Sequence, residues 1–266
     1  MVKLYSNKSL KVLLDHYYKK YHHPSFIASD PIQVPSMFKN KEDVEIASFF
    51  TTLIAWGKRK QIITNAKFLM SIMDNKPYDF IVNIKKKEMN RFNSFKHRTI
   101  NGNDIIELLW TLHKIYQDFG GLENLFTDTY RKNNDIYFAL EVFYKTVSSY
   151  AQSPHCLKHI SNVSRNSAAK RLNLFLRWMI REDDQKVDFG LWKSIPASAL
   201  YIPLDVHVSN VARKLGILKR KTNDWKAVQE LTENLRSFDK NDPIKYDYAL
   251  FGMGLEKNEK NYNCNG

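Results

Sequence analysis

Apolar residues recur at three- and four-residue spacing along most of this chain, the periodicity of helices. Leu10, Leu13, Leu14, Tyr17 and Tyr18 predict a first helix from Ser6 to His22. The next stretch, "HPSFIASDPIQVPSMFKN", carries Pro24, Pro31 and Pro35 and reads as an extended loop. "DVEIASFFTTLIAWG" is apolar on nearly every face, which predicts a buried central helix ending at Trp56 and Gly57. "KRKQIITNAKFLMSIM" starts another helix with Lys58, Arg59 and Lys60 at the end where the helix dipole disfavours cations. That misplacement points either to a solvated turn or to a phosphate contact.

Polar "MNRFNSFKHRTINGND" reads as a loop, and the helix "NDIIELLWTLHKIYQDF" follows, capped by Asn103 or Asp104 and stopped by Gly120 and Gly121. Further helices are predicted for "LENLFTDTYRK", "DIYFALEVFYKTVSSYA", "NSAAKRLNLFLRWMIR", "VHVSNVARKLG", "WKAVQELTENLRSF" and "IKYDYALFGMGL". With only 9 glycines, the expected fold class is all-α. The tail "EKNEKNYNCNG", residues 256–266, is expected to be disordered.

Charge adds a partner class. Lysine and arginine number 41 against 28 acidic residues, a net +13, and so basic a chain points to a polyanion, nucleic acid first. The competing reading is a solubilising surface. No run of about 18 apolar residues predicts a membrane span, and the N-terminus is too charged for a signal peptide. Cys156 and Cys264 are too few for a disulfide scaffold or a four-cysteine iron–sulfur cluster, so a cytoplasmic setting is expected. His155, Cys156 and His159 have ligand chemistry at helical spacing but no obvious fourth ligand, so no metal and no cofactor are expected.

Between Ser153 and Arg181 a short helix (Pro154 to Ile160) meets the polar turn "SNVSRN" and then a long amphipathic helix. Such hairpins bind duplex DNA because the turn exposes backbone N–H groups and the second helix aims its positive end at a phosphate. Asn162, Ser164 and Asn166 occupy the turn where glycines are usual, and asparagine tolerates positive φ best among the other residues. Further on, "IPLDVHVSNVARKLGIL" sets Asp205 directly ahead of an amphipathic helix. Alone, Asp205 would be a helix cap and Lys170 a solvated or phosphate-binding lysine.

Together, the polar hairpin, the lysine opening its second helix and "LDVHVSNVARKLG" resemble the helix–hairpin–helix DNA glycosylase superfamily, typified by endonuclease III. The likeness rests on Asp205, His207, Val208, Arg213, Leu215 and Gly216 and covers roughly residues 40 to 255. "AAKRLNLFLRWMIR" with "VDFGLW" looks like a bacterial branch of it, and the archaeal 8-oxoguanine glycosylases are the nearest characterised group. The resemblance implies one helical unit of two lobes over residues 1–255, with the hairpin and Asp205 facing a cleft. It implies that Asp205 stabilises positive charge on deoxyribose as the base leaves. It implies that Lys170 attacks C1′ to form a Schiff base, a step open only to a neutral amine. The spacing, 205 − 170 = 35 residues, is longer than in the endonuclease III branch and closer to the archaeal group.

By the same likeness, Asp247 and Phe251, one helical turn apart, hydrogen-bond and stack on the extruded base, with Trp56 as a further platform. Asn162, Ser164, Asn166, Arg171, Lys58, Arg59, Lys60, His97 and Arg98 are the candidate DNA contacts. The implied activity is excision of a damaged base, such as an oxidised purine, from double-stranded DNA by a monomer, with lyase chemistry through Lys170. The rival is a non-catalytic DNA- or RNA-structure-binding protein that keeps the fold; the glycine-free turn favours it, and Asp205 beside a plausible lysine favours the enzyme.

Overall fold

The computed structural model describes residues 6–263, with side chains through Glu256. It is mostly helical, as the periodicity predicts. In chain order the helices are α1 (Asn7–Tyr21), α2 (Ser25–Ser29), α3 (Lys41–Leu53), α4 (Arg59–Ile72) and α5 (Pro77–Val82). They continue with α6 (Gly102–Phe119), α7 (Leu122–Asn133), α8 (Ile136–Tyr150) and α9 (Pro154–Leu157). The last are α10 (Lys170–Ile180), α11 (Val206–Leu215), α12 (Trp225–Arg236) and α13 (Tyr246–Asn263). A small antiparallel ladder pairs β1 (Lys96–His97) with β2 (Ile100–Asn101).

Three local expectations change. The proline-rich stretch is not an extended loop: it folds into α2 and two 3-10 turns, Pro31–Gln33 and Pro35–Met37. Proline at the first helical position lacks an N–H that would be orphaned anyway, and Asp30 caps the first of these turns through Ile32 N, 3.1 Å away. The cap of α6 is Asn101, not Asn103 or Asp104; its side chain accepts from Asn103 and Asp104 while Asp104 returns a bond to Asn101 N. Gly102 must follow, because a Cβ there would lie 2.2 Å from the Phe92 carbonyl oxygen. Finally, α13 runs on to Asn263, through most of the stretch taken for a tail; residues 264–266 lie outside the described residues.

The chain divides into two compact units, Met1–Phe26 with Val163–Gly266, and Ile27–Asn162. The second contains a core of aromatic rings: Phe126 stacks on Phe143 with centroids 5.1 Å apart, and Phe49 meets Phe143 edge-on at 6.0 Å. Phe49, Phe126 and Phe143 are all buried, each burial stabilising by roughly 1.5–3 kcal/mol. Glu45 is buried beside this core with its partners: it accepts from Tyr116 Oη at 2.7 Å and from Leu122 N at 3.1 Å.

In the first unit α13 packs against both α1 and α11. Its glycines permit the approach. A Cβ at Gly252 would lie 2.1 Å from the Tyr21 ring, and one at Gly254 would lie 3.3 Å from His207 Cβ. This packing carries the Asp247 segment alongside the helices that open at Lys170 and Asp205.

Candidate active site

Each of the two helices that carry the candidate pair starts at a defined residue. Ala169 is left-handed (φ 47°), which breaks the preceding backbone and makes Lys170 the first residue of α10. Asp205 is extended and caps α11, its Oδ1 accepting from Val208 N at 2.9 Å. Gly216, left-handed at φ 78°, ends α11. Asp205 has a second oxygen, and that one faces Lys170: Nζ lies 3.9 Å from Oδ2. The carboxylate is therefore a cap with one oxygen and a partner for the amine with the other. At 3.9 Å the two attract without a hydrogen bond, and both remain reachable by solvent, 31% and 20% exposed.

Asp247, in the first turn of α13, is buried close enough for both charges to act on it. Burial pushes its carboxyl up to about 7; Arg177 opposes this, Asp205 adds to it and Lys170 subtracts. Arg177 Nη1 donates directly to Asp247 Oδ2. The guanidinium reaches further: Nε donates to Asp188 Oδ1 at 3.2 Å and Nη2 to Tyr248 Oη at 3.3 Å, over whose ring it lies at 4.4 Å. Asp188 also accepts from Tyr248 Oη at 2.9 Å and from Arg181 Nη1 at 2.8 Å. Burial opposes the charge on Arg177, but Asp188, Tyr248 and Asp247 outweigh it and hold the guanidinium protonated. Sequence reasoning missed these arginines. The signal was present: Asn173, Arg177 and Arg181 recur every fourth residue along an otherwise apolar helix face.

Phe251, one turn beyond Asp247, is partly exposed and meets Phe26 edge-on at 6.5 Å. The turn read as a hairpin lies where the units divide, Asn162 ending one and Val163 opening the other. Asn166 takes the left-handed conformation expected of it (φ 64°), donates from Nδ2 to Asp224 at 3.1 Å and accepts Trp225 N on its carbonyl at 3.1 Å. Ser164 is exposed and Asn162 half-buried. Arg171 is half-buried, and that burial lowers its guanidinium to about 10.

The remaining candidates belong to the unit Ile27–Asn162. Lys58 occupies the N-cap position of α4 with no side-chain cap bond, Arg59 opens the helix, and Lys58 and Lys60 are exposed. Trp56 does not end the central helix; α3 stops at Leu53, and the half-buried indole lies in the turn that follows. Arg98, left-handed at φ 55°, lays its guanidinium over that ring at 4.4 Å. His97 is not a DNA contact. It is fully buried, accepting at Nδ1 from Asn65 Nδ2 (2.9 Å) and donating from Nε2 to the Trp56 carbonyl (3.1 Å), so it fixes the turn that presents Trp56. Among the described residues no helix is long and apolar enough to cross a membrane.

A family model described as "Protein of unknown function (DUF2400)" matches residues 30–256, and the chain belongs to that family. Neither the curated proteins nor the solved structures include a match.

Proposed function

We propose that this protein excises a damaged base from double-stranded DNA, with Asp205 and Lys170 as its reacting groups. The observation that carries the reading is the 3.9 Å approach of Lys170 Nζ to Asp205 Oδ2 at two adjoining helix starts, 35 residues apart in sequence (205 − 170). A base leaves deoxyribose with the electron pair of the C1′–N bond, leaving positive charge on C1′ and the ring oxygen. A carboxylate held by an amide N–H beside that carbon lowers the barrier without reorganising. Lys170, in its neutral form, attacks C1′, and loss of its proton with opening of the sugar ring gives a Schiff base, from which strand cleavage by elimination can follow.

Asp247 and Phe251 are the groups for the extruded base in this reading, the acid by hydrogen bond and the ring by stacking. An oxidised purine such as 8-oxoguanine is the lesion class proposed. The basic balance and the candidates Lys58, Arg59, Lys60 and Arg98 supply phosphate contacts, so duplex binding should weaken steeply with salt. Incubation with a panel of lesion-containing duplexes tests the proposal. The wild-type chain should release base from at least one of them, with single-turnover kinetics. Binding to the duplexes with no release from any would favour the non-catalytic DNA-binding reading instead.

A further inference from the structure

His155, Cys156 and His159 carry ligand chemistry that base excision leaves unused, and the fold adds a third kind of ligand beside them. Asp104, in the first turn of α6, lies with Oδ1 2.8 Å from His155 Nδ1 and Oδ2 3.5 Å from His159 Nε2. One ligand atom from each of the three residues falls within 4.8 Å of the other two. We propose that Asp104, His155 and His159 form a binding site for a divalent cation of the zinc class, with a water as fourth ligand.

The separations suit that ion. Zinc bonds to imidazole nitrogen and carboxylate oxygen are about 2.0–2.1 Å, so neighbouring ligand atoms around a tetrahedral centre sit about 3.4 Å apart. Oδ2 stands 3.5 Å from His159 Nε2, close to that edge, and Oδ1 stands 2.8 Å from His155 Nδ1, so the carboxylate spans the two imidazoles and one of its oxygens takes the ion once His155 shifts. The residue that must move is the one able to: His155 is 46% exposed, whereas Asp104 and His159 are 3% and 8% exposed. Two ligands are thus fixed by packing, and the third approaches from the solvent side, where water completes the set.

The carboxylate is also oriented from behind, since Asp104 Oδ2 accepts from Asn101 N at 2.9 Å. Cys156 is not a ligand. Its buried Sγ is turned to the Asp104 carbonyl oxygen at 3.7 Å. Two imidazoles with one carboxylate select a borderline divalent ion over calcium or a monovalent soft metal. A bound ion would tie α9 to the first turn of α6 and close the long loop between them, stabilising the folded chain by mass action.

The experiment uses the full chain, stripped with chelator and titrated with zinc chloride by calorimetry, and with cobalt(II) chloride followed by visible absorption. One equivalent of zinc should bind and raise Tm, and cobalt should give a low-symmetry d–d spectrum. His155→Ala removes an exposed side chain and should keep the fold by circular dichroism while weakening zinc at least about tenfold. Asp104→Asn keeps an acceptor for the Asn101 amide and should weaken it likewise. Two results overturn the proposal: no zinc bound by the wild-type chain at about 1 mM, where even weak sites fill, or unchanged affinity in both variants. Unchanged affinity would place the ion elsewhere, and loss of it in His22→Ala would assign it to His22, Asp183 and Asp184, whose ligand atoms also cluster.

Discussion

At the start of α10, Lys170 and Asp205 stand 3.9 Å apart, partly exposed; about two turns along the same helix, Arg177 is buried with carboxylates in direct contact. Both clusters pair cations with acids, and they differ in burial and separation. Around Arg177 and Arg181 the guanidiniums donate to buried acceptors on several sides: Asp188 takes both, Asp242 accepts from Arg181 Nε at 3.0 Å, and Tyr18 accepts from its Nη2 at 2.7 Å. Such a network is already desolvated, and of its members the proposed function uses only Asp247. The Lys170–Asp205 pair stays partly exposed and separated by 3.9 Å, so both groups can be reached from solvent. The buried set holds α10 and α13 in register, and in the proposed function the open pair is the one that reacts.

Breaking the buried side of that comparison should have the largest effect. Asp188→Ala leaves two buried guanidiniums without their shared acceptor and should cost about 3–5 kcal/mol of stability, read by denaturant unfolding. Asp205→Asn should do the reverse. Asparagine caps a helix as well as aspartate, so unfolding should change by less than about 1 kcal/mol, while base release slows by about two orders of magnitude or more. Comparable losses of stability in the two variants would erase the distinction between the clusters.

Packing of α13 comes next. Gly252→Ala places a methyl 2.1 Å from the Tyr21 ring, so the ring or the α1–α13 packing must shift. We expect a loss of about 1–3 kcal/mol, measured by thermal unfolding. A smaller effect follows from protons. Asp247 in the folded chain titrates at about 7 against an ordinary 3.8, so between those values the native state holds a proton that the unfolded chain has released. Raising pH through that window therefore removes stability from this group. Asp183, held low by His22 and Arg181 despite its burial, acts oppositely, losing its contribution as pH falls below the ordinary carboxylate range. Tm followed from pH 4 to 7 should decline less in Asp247→Asn than in the wild type; parallel curves would show that Asp247 does not titrate there.

How much of this was legible in the sequence follows from the range of each interaction. Asp205 as a cap, Gly216 as a stop and Lys170 at a helix start are signals read within a few residues, and they stand where the pattern puts them. The cap of α6 was misplaced because the decisive contact, Gly102 against the Phe92 backbone, is made outside the helix. His97 was misread for a related reason: its partners Asn65 and Trp56 are 32 and 41 residues away, and a basic string looks solvated until those contacts form. Asp104 meets His155 across 51 residues, so the histidines read alone offered no third ligand. Periodicity located the buried faces, but only the fold shows that the Asn173, Arg177, Arg181 row sits inside one of them.

Covalent trapping asks whether the open pair does chemistry. The wild-type chain, incubated with a lesion-containing duplex it cleaves and reduced with sodium borohydride, should form a stable protein–DNA adduct at Lys170, located by peptide mass spectrometry. Lys170→Gln should form none while unfolding within about 1 kcal/mol of the wild type, as expected for a partly exposed ion pair. An adduct that persists in Lys170→Gln, or base release by the wild-type chain with no adduct at all, would contradict the assignment of Lys170 as the nucleophile.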